Sequence, residues 1–96
     1  MKVLAIIDVA RGARMEAVRE QLAHEIRGSW HLYEAGVLRE AYATATPTRV
    51  VFVIEADDPK AALAHLNGLP MVSAGLVDVE CIELRPFVNW SLLFGG

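Results

Sequence analysis

Apolar residues in this 96-residue chain recur with two different periods, and the changes of period mark its elements. Val3-Leu-Ala-Ile-Ile7 is a short apolar run closed by Asp8, and Lys2–Val9 reads as a buried strand. Met15, Val18, Leu22, Ile26, Ser29 and Tyr33 then return at helical spacing. They predict an amphipathic helix over Arg14–Ala35, closed by Gly36 and with Gly28-Ser29 as a candidate bend. Its start carries little signal, because no Ser, Thr, Asp or Asn immediately precedes it. Val37–Ala45 and Arg49–Ala56 are β-rich and flank Thr46-Pro47-Thr48, a hairpin signal.

The second helix is better marked. Asp58 suits its N-cap, Pro59 its first position and Gly68 the position after its end, while Leu63 and Leu66 form the inner stripe. Leu76–Leu84 is the last strand, and residues 86–96 form an apolar tail. The order βαββαβ predicts one ferredoxin-like α+β domain over residues 1–96: an antiparallel sheet with two helices on one face. Val50-Val51-Phe52-Val53-Ile54 is apolar on both faces, so the helix-free face needs a cover as well. A second copy packed sheet to sheet supplies one, giving a dimeric α+β barrel, and the Trp90–Phe94 stretch is placed to reach a neighbouring subunit.

Composition supports self-association. Hydrophobic residues make up 54% of the chain, against about 45–50% for an ordinary domain even with glycine counted. A chain this short buries only about 60–65% of its unfolded surface, so a homodimer or larger homo-oligomer is expected. The net charge of −3 argues against a nucleic-acid partner, which requires a basic stripe. The first apolar run is too short to cross a membrane, and one cysteine forms no internal disulfide, which together point to the cytoplasm.

The candidate chemistry centres on Asp78-Val-Glu80. Strand period places both carboxylates on one face, and two acids in an apolar setting have their pKa values pushed apart, as proton-transfer sites require. A hairpin centred on Pro47 brings Arg39 opposite, or one residue from, Glu55, with Tyr42 near Phe52. Arg39 is then a candidate anchor for a substrate carboxylate, or the partner of Glu55 in a structural ion pair. Trp30, Tyr33 and Tyr42 offer apolar rings with polar tips, suited to a pocket or to an interface. His24 and His31 lie seven residues, about 10 Å, apart along a helix and do not share a metal. Cys81 faces away from Asp78 and Glu80 as a small hydrophobe. No phosphate loop, dinucleotide fingerprint or nucleophile elbow is present, and no metal or cofactor is expected.

Several of these features occur together in a known family. They are Asp8-Val9 ending the first strand, Gly36 before the second, and Arg39 with Tyr42 three residues on. Glu55 ends the third strand, Leu69-Pro70 follows the second helix, and Asp78-Val79-Glu80 lies in the fourth. In these residues the chain resembles the muconolactone Δ-isomerase family of the dimeric α+β barrel superfamily, from Val3 to about Pro86. The resemblance implies a cofactor-independent isomerase that moves a double bond in a small anionic unsaturated lactone, in aromatic-compound catabolism. In that scheme Arg39 holds the carboxylate, Asp78 or Glu80 with Glu55 handles the proton, and Tyr42 orients the substrate. The same fold also serves cofactor-free monooxygenases and cyclases acting on aromatic, polyketide-like substrates. A non-catalytic ligand-binding oligomer is the third alternative.

Overall fold

A computed structural model describes residues 1–95, so Gly96, the last residue of the expected tail, lies outside the described residues. The chain forms β1 (Lys2–Val9), α1 (Met15–Glu34), β2 (Leu38–Ala43), β3 (Val50–Glu55), α2 (Pro59–Leu66), α3 (Pro70–Ser73) and β4 (Val77–Glu83), then a 3₁₀ segment, Val88–Phe94. The four strands make one antiparallel sheet in the order β2-β3-β1-β4, the ferredoxin-like arrangement. No helix among the described residues is long and apolar enough to cross a membrane.

Local chemistry marks the start of α2 and the end of α1. The Asp58 carboxylate accepts the Ala61 N–H at 2.7 Å, and Pro59 opens α2 where its missing N–H costs nothing. At the end of α1, Gly36 turns left-handed (φ 78°). The Val37 N–H there reaches back to the Leu32 carbonyl at 3.0 Å, satisfying a carbonyl the helix leaves unpaired. Gly28 does not interrupt α1; a Cβ there would stand 2.8 Å from Leu69 Cδ2, so its absence lets the helix settle on that buried leucine. The short α3 is an element that the sequence pattern does not predict.

Cross-strand partners share a face, and burial tells the two faces apart. Val3, Ala5 and Ile7 of β1 and Phe52 and Ile54 of β3 point toward the helices, where they meet Leu38, Ala62, Leu66 and Leu69 in the core. Leu4 and Ile6, Val51 and Val53, Tyr42 and Ile82 point to the other face, which no element among the described residues covers. Val53 is nonetheless 8% exposed, screened by neighbours on the sheet. Between β2 and β3 the register shifts at Leu38/Glu40, leaving Arg39 outside the ladder, and Tyr42 pairs with Val51. Tyr42 thus lies one residue from opposite Phe52, near it as expected, whereas Arg39, expected opposite or one residue from Glu55, sits in the irregularity between Leu38↔Ile54 and Glu40↔Val53.

Candidate functional site

Helical spacing along α1 brings Val18, Leu22, Glu25, Ile26 and Ser29 to one side. Opposite them stand Ile7 and Val9 of β1, Val50 and Phe52 of β3, Val77 of β4 and Met71 of α3. A cleft of about 370 Å³ lies between, within the range of small-molecule sites. Its walls are almost wholly aliphatic. The polar groups are Glu25 and Ser29 from α1 and Thr48 and Arg49 from the β2–β3 loop.

Glu25 is half-buried, and its Oε1 accepts the Met71 backbone N–H at 2.9 Å, tying α1 to the start of α3. Burial pushes its carboxyl pKa up from the usual range, and the Met71 hydrogen bond opposes that in part. Ser29 Oγ donates to the Ile26 carbonyl at 2.7 Å, which leaves its lone pairs to accept from a ligand. Arg49 lines the cleft at its β2–β3 end, and its Nε lies 3.4 Å from Oδ1 of Asp8, a residue of the helix-free face, in a half-exposed pair that leaves donors of the guanidinium free. The cleft thus holds a carboxyl whose pKa burial raises, with Arg49 among its lining residues.

The residues singled out in the sequence divide into two groups. Trp30, Tyr33 and Arg39 gather at the C-terminal end of α1 around an open cavity of about 440 Å³. The two rings stack at 5.3 Å, and Arg39 Nη1 reaches the Gly36 carbonyl at 3.4 Å. No carboxylate lies within ion-pair distance of Arg39 among the described residues. Glu55, Asp78, Glu80 and Tyr42 lie on the helix-free face instead. Glu55 meets the Met1 ammonium at 3.1 Å, Asp78 pairs across the strands with Asp8, and Glu80 pairs with Ile6. Tyr42 donates to Glu40 Oε1 at 2.6 Å, and that bond to a carboxylate raises its pKa. The helix-free face carries an acidic end, and one cavity holding Arg39, Glu55, Asp78 and Glu80 together does not form.

Cys81 is half-buried toward the helices, and burial pushes its thiol up, away from the reactive thiolate. Among the described residues, no three His, Cys, Asp or Glu side chains converge as metal ligands would. Glu25 is the functional candidate that sequence reading passed over. Its signal was there: it lies seven residues after Val18 and three after Leu22, a carboxylate inside an apolar helical stripe. Comparison with models of known protein families gives no match, and comparison with curated protein sequences gives none either.

Proposed function

We propose that the chain is a cofactor-independent isomerase that moves a double bond in a small anionic unsaturated lactone by proton transfer, working in the cleft between α1 and the sheet. The observation that carries this reading is Glu25, a carboxyl with a raised pKa in an aliphatic cleft. The carboxylate takes a proton from one ring carbon, the electron pair delocalises over the conjugated lactone, and the same carboxyl returns the proton two carbons away. Arg49, a lining residue, supplies the cation for the substrate anion, exchanging its half-exposed contact with Asp8 for it.

Arg39 lines the neighbouring cavity, which shares Ile26 and Ser29 with the cleft, while Glu25 lines the cleft itself. Asp78, Glu80 and Glu55 then belong to a subunit seam, where Leu4, Ile6, Val51, Val53 and Ile82 form an apolar strip suited to sheet-to-sheet packing of a homodimer or larger assembly. The single cysteine fits a cytoplasmic protein.

Mixing purified protein with muconolactone and following enol-lactone formation by ultraviolet absorbance tests the proposal. Turnover is expected, falling at least a hundredfold in Glu25→Gln, with a raised KM in Arg49→Leu. No turnover, or turnover undiminished in Glu25→Gln, refutes it. The nearly all-aliphatic wall also favours a second reading, a cofactor-free monooxygenase or cyclase on an aromatic, polyketide-like substrate. Oxygen uptake with an anthrone-type or quinol substrate separates the two.

A further inference from the structure

The cleft does not end at Ser29. Ile26 and Ser29 also line a second cavity, of about 360 Å³, which continues beside α1 past Trp30 and Tyr33 to Leu38 and Arg39 of β2. Cleft and cavity adjoin at those two side chains as one trough. Its helical wall runs from Val18 to Tyr33, about 22 Å along the α1 axis. The lining changes character on the way. The end under Val18 and Leu22 is aliphatic, and the middle carries Glu25 and Ser29. At the far end the Trp30 and Tyr33 rings stack at 5.3 Å with the Arg39 guanidinium beside them.

Charge and hydrogen bonding separate the far end from the middle. Among the described residues no carboxylate comes within ion-pair distance of Arg39. Its contact with the Gly36 carbonyl, at 3.4 Å, is long for a hydrogen bond. Glu40 borders the same space, but its carboxylate already accepts from the Tyr42 hydroxyl at 2.6 Å. In the middle the donors are satisfied internally. The Met71 N–H is held by Glu25, and the Ser29 hydroxyl donates to the Ile26 carbonyl. A methylene chain laid past them displaces water without stranding either donor.

We infer that the trough binds a medium-chain fatty acid, its carboxylate on Arg39, its first methylenes on the Trp30–Tyr33 stack and its tail in the aliphatic cleft as far as Leu22. A guanidinium with open donors suits a carboxylate, which it meets with two parallel hydrogen bonds. Trp30 and Leu22 are eight residues apart on α1, about 12 Å, the extended length of decanoate. A compact ring acid held by Arg39 leaves the aliphatic end empty, whereas an acyl chain fills both ends. Because the tail passes Glu25, the bound acid and any other ligand of the cleft exclude each other. Binding of the acid goes beyond the isomerase reading and depends on the trough alone.

Equilibrium dialysis of the full chain against radiolabelled hexanoate, octanoate and decanoate tests it. Affinity is expected to rise about fourfold per added methylene. Arg39→Leu should weaken decanoate at least tenfold, with partial recovery in Arg39→Lys, and Ile26→Asp should weaken it at least tenfold as well. Both positions are exposed, so circular-dichroism melts matching the parent are expected of these variants. No retention of decanoate overturns the assignment, and a trough already filled by a segment of a second copy gives that result. Retention indifferent to chain length, octanol retained as well as octanoate, or a greater loss in Arg49→Leu than in Arg39→Leu overturns it too. Muconolactone turnover plays no part in the readout, so the isomerase reading and the fatty-acid site stand or fall separately.

Discussion

Glu25→Ala and Glu25→Gln remove different things, and the contrast measures what the carboxyl does for the fold. Alanine leaves the Met71 N–H without an acceptor, and Met71 is 6% exposed, so water reaches it poorly. Stranding a buried donor costs about 1–3 kcal/mol. In a domain of this size that is a fall in Tm of about 5–20 °C. Glutamine keeps an acceptor oxygen but no charge, and its stability is expected within about 1 kcal/mol of the parent. The pH dependence carries the sign. Burial raises the folded-state pKa of Glu25 above its unfolded value. Its contribution to stability is therefore full below the ordinary glutamate range and is lost as pH rises through the raised folded value. Glu25→Gln, which does not ionise, should gain on the parent across that window and then hold a constant difference. Circular-dichroism melts from about pH 4 to 8, at one protein concentration because association shifts Tm, supply both readouts. A Glu25→Ala protein that melts with the parent, or a parent–glutamine difference flat across the series, refutes the reasoning.

Three further outcomes follow from single contacts. Asp78→Asn removes a carboxylate directly opposite Asp8 and is expected to be neutral or stabilising by up to about 1 kcal/mol near pH 7. Urea unfolding of the variant beside the parent checks it. Asp58→Ala deletes the cap on Ala61 and should cost about 1 kcal/mol, read as an earlier urea midpoint at unchanged slope. Ile54→Ala empties a fully enclosed core position and should cost about 2–5 kcal/mol, enough to leave much of the protein unfolded at 37 °C by the same measurement.

The βαββαβ order was legible because each element advertises itself locally. Asp58-Pro59 and Gly36 fix helix ends by their own hydrogen bonds and backbone angles. The period of two correctly put Asp78 and Glu80 on one face and Cys81 on the other. Which face looks toward the helices is not local, because it follows from pairing with β1, whose Ile6 and Asp8 carry Glu80 and Asp78 to the helix-free side. Arg39 was misplaced for a similar reason, since one register shift between Leu38 and Glu40 moves every neighbour of that strand by a residue. Glu25 was hidden because a charged residue in a helix reads as solvent-facing unless its position on the apolar stripe is checked. Its acceptor role depends on Met71, forty-six residues away.

The strand order also sets a timetable for the growing chain. β2 and β3 are joined by a short loop, so theirs is the most local pairing in the sheet. β1, synthesised before them, lies between β3 and β4 in the sheet, and Val3 pairs with both Ile54 and Glu83. At ribosomal speeds of about 5–20 residues per second, the first strand waits roughly 4–16 s before its last partner exists. Val3-Leu-Ala-Ile-Ile7 has two open edges until β3 is made and one until β4 is. Nascent chains of this protein should therefore depend on holdase chaperones in inverse proportion to elongation rate, and slowing codons placed between β3 and β4 should cost soluble yield while those after β4 do not.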